Sequence, residues 1–140
     1  MSIMQVEVVS SEQKIYSGEA TFIVVPTVQG ELGIYPRHEP IMSLVRPGAL
    51  RLTVPGEDKE VLVAVSGGVL EVQPDKVTVL ADVAVRSAEM DRARAEEAKK
   101  AAEAGISQAK DDKALAEAHK VLAAAIAQLK TLDYIRSHKK

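Results

Sequence analysis

All six prolines and seven of the eight glycines lie before residue 88, while fifteen alanines lie after residue 87 and only five before it. Proline and glycine break regular structure, and alanine is the strongest helix former, so no single architecture serves both halves of this chain. The reading is therefore of a β + α chain: a β-rich unit over residues 1–86 and a helical unit over residues 87–140. The first is long enough to bury a modest core. The second is too small and alanine-rich to make a robust core of its own.

Short apolar runs separated by turn residues fill the first unit. Met4, Val6 and Val8 alternate with polar neighbours, as a half-buried strand requires. Thr21–Val25 reads as a strand that stops at Pro26, and Ile41–Val45, Ala49–Val54, Val61–Val65, Val69–Val72, Lys76–Leu80 and Val83–Val85 follow. The stretches Arg46-Pro47-Gly48, Pro55-Gly56-Glu57-Asp58, Ser66-Gly67-Gly68 and Gln73-Pro74-Asp75 supply turns between them. About eight to ten closely spaced strands with no helical period among them predict an antiparallel β-sandwich or a flattened barrel. Gly30-Glu31-Leu32-Gly33 lacks the lysine and following helix of a phosphate cradle, and reads as a tight turn with Glu31 and Leu32 at its tip. His38, between Arg37 and Glu39, has no visible nucleophile or base beside it and reads as a surface or turn residue.

After Arg86 the hydrophobic period changes to that of a helix. Ser87 stands where an N-cap belongs, which predicts a helix from Ala88 to about Ala104, stopped by Gly105. Ile106–Lys110 then form a linker, and Asp111 or Asp112 caps a second helix running to about Ser137. Leu115, Ala118, Leu122, Ala125, Leu129 and Leu132 repeat every three or four residues, facing Ala95, Ala98 and Ala102 of the first helix. A helical hairpin with few large apolar residues is held shut by only a few kcal/mol, because each buried methyl contributes only about 0.8 kcal/mol. Its helices persist by propensity whatever they pack against. Such a hairpin is either a static cover on the sandwich or a switchable arm.

Composition narrows the chemistry. With no cysteine there is no disulfide scaffold, thiolate metal site or cysteine nucleophile. No apolar run reaches the ~20 residues of a membrane-spanning helix, and the N-terminus does not read as a signal peptide, so a cytoplasmic protein is expected. Residues 1–87 carry 7 basic and 11 acidic groups and residues 88–140 carry 11 and 9, which gives no nucleic-acid-binding surface but a mildly basic tail.

Several segments together resemble one family. Val25-Pro26-Thr27 followed by Gly30-Glu31-Leu32-Gly33-Ile34-Tyr35-Pro36-Arg37-His38-Glu39-Pro40, then Ser66-Gly67-Gly68-Val69-Leu70-Glu71-Val72, Val77–Asp82, Met90-Asp91-Arg92-Ala93-Arg94-Ala95 and Ala125-Ile126-Ala127-Gln128-Leu129, are similar to the epsilon subunit of bacterial F-type ATP synthases. The resemblance implies a non-catalytic rotor-stalk subunit that couples proton translocation to ATP synthesis on the cytoplasmic face of the inner membrane. It implies contact of Glu31, Leu32 and Gly33 with the ring of c subunits, and docking on the gamma subunit through a surface that includes His38. It also implies an arm that folds against the sandwich or extends toward the alpha/beta hexamer and inhibits ATP hydrolysis. In this reading Lys113, Lys120, Lys130, Arg136, Lys139 and Lys140 meet acidic segments there.

No metal or other cofactor is required. Some family members bind regulatory ATP through Ile/Leu-Asp-x-x-Arg-Ala; Asp91, Arg94 and Ala95 match that motif, and Met90 departs from it. The other class kept open is a free-standing sandwich that binds a ligand or peptide.

Overall fold

The computed structural model describes residues 2–138, and its chain forms ten strands followed by two helices. The strands are β1 Met4–Val9, β2 Lys14–Ala20, β3 Phe22–Thr27, β4 Gly30–Ile34, β5 Ile41–Val45, β6 Gly48–Thr53, β7 Val61–Val65, β8 Gly68–Val72, β9 Lys76–Ala81 and β10 Ala84–Arg86. A single 3-10 turn at Ser87–Glu89 leads to α1 Arg92–Gln108 and α2 Asp112–Ser137.

Pairing runs β10-β7-β6-β3-β5-β8-β9-β1-β2, with β4 alongside β3. The β3–β5 junction is a single pair, Thr27 with Val45, so the sheet folds over there into two layers. One layer is β10-β7-β6-β3-β4 and the other β5-β8-β9-β1-β2. Val6, Val8, Ile23, Val25, Leu50, Val63, Leu70 and Val79 meet between the layers and are fully buried. At the far side Arg86, the last residue of β10, lies over the Tyr16 ring of β2 at 5.8 Å and nearly closes the barrel.

All ladders are antiparallel except β1 with β9, which is parallel and in register from Gln5/Lys76 to Val9/Leu80. The long connection between β1 and β9 makes this geometry available.

Two predicted boundaries in the sandwich change. β3 does not stop at Pro26 but continues to Thr27, with Pro26 opposite Glu31. The ladder to β6 ends at Val24, so the missing proline N–H falls where β3 has left β6. Gly30–Gly33 is not the turn but most of β4; Val28 and Gln29 form the tip. Gly30 alone of that pair needs glycine for its backbone, at φ 116°.

The helical half also shifts. Met90 is extended, and Asp91, not Ser87, caps α1: its Oδ1 accepts from the Arg94 N–H at 3.0 Å. Gly105 lies inside α1 rather than ending it, facing α2, where a Cβ would stand 3.4 Å from the Ala118 methyl. The linker shrinks to residues 109–111, and Asp111 caps α2 as expected, accepting from the Ala114 N–H at 2.7 Å. Ala95, Ala102, Ala125 and Ala127 are buried along the hairpin seam and its base.

The Gly67–Gly68 turn is the tightest point of the second layer. Gly68 has φ 140°, and a Cβ there would collide with the Leu80 carbonyl oxygen. Gly68→Ala is therefore expected to cost about 3 kcal/mol or more, combining backbone strain with overlap of main chain. Gly56→Ala, at φ 81° but with open space around it, is expected to cost only about 1–2 kcal/mol. Urea midpoints of the two variants check the difference, and equal losses would contradict it.

Candidate functional site

The two layers present different outer faces. On the second, the register aligns Leu44, Val69, Leu80 and Val9 in one row across β5, β8, β9 and β1. Their neighbours Val45, Leu70, Val79 and Val8 point into the core, so period two directs this row outward. Leu44 is 59% exposed, Leu80 54%, and Met42 on the same face 70%. Contiguous apolar side chains of this size on an outer sheet face mark an interaction surface rather than scattered exposure. Sequence reading missed it, although Ile41-Met42-Ser43-Leu44-Val45 carries the signal: a strand with apolar residues on both faces.

A shallow groove joins this row to the β3–β4 hairpin, running past Val28, Leu32, Met42 and Leu44. Val28 N–H donates to the Leu44 carbonyl at 3.0 Å and holds the hairpin tip onto β5. Glu31 lies on β4 beside this tip, exposed, and its carboxylate meets Arg51 of β6 at 3.6 Å. Leu32 is half-buried against the core. Gly33 makes room for the Phe22 ring, which would stand 2.9 Å from a Cβ at that position.

His38 is placed elsewhere. It precedes β5, half-buried, with its Nδ1 2.8 Å from the Glu39 carbonyl. Its loop is pinned where Arg37, at φ 68°, donates its N–H to the Pro74 carbonyl at 2.7 Å. Glu31 and His38 thus flank opposite ends of β5, with the apolar face between them.

The outer face of β6 and β7 in the first layer is covered by α2. Leu62 and Ala64 of β7 pair with Arg51 and Ala49 of β6 on that face and are buried. Thr131 of α2 is fully buried there and donates its hydroxyl to the Ala127 carbonyl at 2.8 Å. The helix is fastened near its end by polar contacts. Tyr134 donates its hydroxyl to Glu60 Oε1 at 2.6 Å, and the Arg51 guanidinium lies over its ring at 4.8 Å. His138 stacks on Tyr134 with centroids 4.0 Å apart. Arg92 of α1 bridges to Asp133 of α2 at 2.7 Å.

Partial burial and the hydrogen bond to Glu60 raise the Tyr134 phenol above its ordinary value of 10.0, against the opposing pull of Arg51. None of this was visible in the sequence, because Arg51, Glu60 and Tyr134 are far apart along it.

The basic residues assigned to the arm divide into two kinds. Lys113 and Lys120 are exposed on α2. Lys130 donates to the Pro47 carbonyl at 3.4 Å, and Arg136 pairs with Asp133 at 3.2 Å, so these two have partners within the folded chain. Lys139 and Lys140 lie outside the described residues.

Of the nucleotide-motif residues, Asp91 serves as the helix cap, Arg94 is exposed and Ala95 is buried. Among the described residues no group of three or more histidines, acids or cysteines is placed to hold a metal. No described helix is long and apolar enough to cross a membrane.

Comparison with known proteins follows the same division of the chain. Residues 3–87 match the family described as ATP synthase, Delta/Epsilon chain, beta-sandwich domain, and residues 88–133 match ATP synthase, Delta/Epsilon chain, long alpha-helix domain. The ATP synthase epsilon chain of Neisseria gonorrhoeae (strain ATCC 700825 / FA 1090) is 98% identical over 140 residues, covering 100% of both chains. That of Laribacter hongkongensis is 62% identical over 136 residues, 97% of each. A chain in the cryo-EM structure of the Euglena gracilis mitochondrial ATP synthase has the same fold, with a TM-score of 0.73 at 22% identity over 94% of this chain and 82% of that one. With a two-layer sheet and a two-helix arm matched end to end, the chain belongs to the ATP synthase Delta/Epsilon chain family.

Proposed function

We propose a division of labour for a chain whose function is that of a stalk subunit of the ATP synthase and not of its catalytic chain: the sandwich couples, and the hairpin regulates. The observation that carries it is the asymmetry of the two layers. One outer face is apolar and open, while the other is covered by a helix of the same chain.

The open face of Met42, Leu44, Val69 and Leu80, extended by the loop at His38, is the surface for the gamma subunit. The β3–β4 hairpin, with Val28 at its tip and Glu31, Leu32 and Gly33 behind it, is the surface for the c-subunit ring. In this reading the protein sits peripherally on the cytoplasmic side of the bacterial inner membrane and turns with the ring as protons cross. Burial of an apolar row supplies affinity, and the exposed carboxylate supplies register against polar loops.

The hairpin is the regulatory part. Its seam consists of alanines, and the larger side chains Leu122, Ile126, Leu129 and Leu132 remain only half-buried, so it leaves the sandwich without breaking a large core. Extended toward the alpha/beta hexamer, it inhibits hydrolysis. Among the described arm charges, Lys113 and Lys120 serve only that state, whereas Lys130 and Arg136 also hold the folded one. Regulatory ATP, in this reading, favours the folded state through Arg94, since Asp91 is committed to the cap.

Three outcomes are expected. In the assembled soluble complex, a chain ending at Met90 raises ATP hydrolysis, and Lys113→Gln with Lys120→Gln raises it part of the way, because exposed pairs contribute at most ~1 kcal/mol each. Unchanged rates in both would refute the regulatory reading. Glu31→Ala lowers coupled ATP synthesis in membranes while its melting midpoint reflects a loss of no more than about 1 kcal/mol. A large fall in midpoint with normal coupling would make Glu31 a structural residue instead.

The third outcome concerns pH. A phenol whose value is raised on folding stabilises the docked arm below pH 10, and that contribution is lost as pH rises through the folded value. Absorbance titration of the full chain should therefore contain a tyrosine titrating above 10 that Tyr134→Phe removes. A phenol that titrates at or below 10 and vanishes in that variant would contradict the geometry.

A further inference from the structure

One side chain belongs both to the surface proposed for the ring and to the fastening of the arm. Arg51 stands on the outer face of β6, in register with Val24 of β3 and Leu62 of β7. From β4, Glu31 holds its guanidinium at 3.6 Å. From α2, the Tyr134 ring lies 4.8 Å beneath it. Its Nε is buried and has no hydrogen-bond partner, so the position of the guanidinium rests on these two contacts. Among the described residues Glu31 makes no hydrogen bond or ion pair with α2; whatever it conveys to the helix passes through Arg51.

We propose that Arg51 is a positioning residue that couples the β3–β4 hairpin to the arm, so that engagement of the Glu31 carboxylate by a cationic group of a docked partner loosens α2. The physical step is a change of ion-pair partner. With Glu31 attached, the guanidinium is held over the Tyr134 ring, and Glu60 accepts from the phenol. Once Glu31 is taken, the other carboxylate on Tyr134 is Glu60. A guanidinium that turns to Glu60 takes the cation off the ring and competes with the phenol for the carboxylate, so both contacts of Tyr134 with the sandwich weaken together.

Lys130 on Pro47 and Arg92 on Asp133 remain, so the helix is loosened at its end rather than released outright. The inference rests on the regulatory reading for its consequence in the synthase, but not for its test.

The test is amide hydrogen exchange of the isolated full chain at neutral pH, read on peptides covering residues 127–138 and, as a control, on the core strands β8 and β9. Glu31→Gln should speed exchange in 127–138 by roughly two- to fivefold, the scale of one exposed ion pair, with β8 and β9 unchanged. Arg51→Gln should speed it at least as much, and the double variant no more than Arg51→Gln alone. Arg51→Lys, which keeps the charge but loses the planar fork, should match Arg51→Gln and guards against a variant that fails to fold.

Unchanged exchange in Glu31→Gln would overturn the proposal. So would a double variant whose effect is the product of the two single ones. Because no ATPase activity is read, an arm that proved not to regulate hydrolysis would leave this result intact, and failure here would leave the regulatory reading intact.

Discussion

β7 carries apolar side chains on both faces. Val63 and Val65 point into the core, while Leu62 and Ala64 point outward and are buried only because α2 lies over them. A sandwich layer with such a face must be covered by something, and here the cover is contributed by the same chain. The relation between the two halves follows from that requirement. The arm is not an appendage beside a finished sandwich but the third layer over half of it.

That third layer is thin in apolar contact. Where α2 crosses β6 and β7, its fully buried residues are Ala127 and Thr131, small side chains that let the backbones approach closely but contribute little transfer energy each. The remaining hold comes from Tyr134 between Arg51 and Glu60, and from Lys130 on Pro47. Polar contacts at a half-exposed edge are individually worth about 1 kcal/mol and exchange readily for water or for other partners. A leucine-rich interface would fasten the arm for good. An interface of alanines and a few polar bonds holds it far less firmly.

The sequence disclosed what depends on period and on strong breakers. Strands with clean alternation, such as Met4–Val9 and Lys76–Ala81, and turns built on Pro-Gly or Gly-Gly lie where the pattern puts them. β2, with Ser17, Gly18 and Glu19 in its second half, has too few apolar residues to show a period. β4 was hidden by its two glycines, one serving a positive φ and the other yielding to Phe22. The start of α1 was misplaced because Ser87 and Asp91 are both good caps, and the extended Met90 between them favours the second.

Of the candidate site, Glu31 and His38 were legible as residues, but their surroundings were not. The apolar row depends on cross-strand register, and the Tyr134 cluster on a contact over 70 residues apart, neither of which a single sequence displays.

The two outer faces belong to different layers, and this separation has a functional consequence. A partner seated on Leu44, Val69 and Leu80 touches the second layer, whereas α2 covers β6 and β7 of the first. In the proposed reading, docking and arm movement therefore do not compete for surface. The β3–β4 hairpin is the exception. It pairs with the first layer through β3 while its tip folds onto β5 of the second, so it spans the edge between them. Glu31 is the charged group on that hairpin and Arg51 is its partner. The signal proposed to pass from a docked sandwich to its arm therefore starts on a hairpin that touches both layers and reaches α2 through the Glu31–Arg51 pair within the first layer.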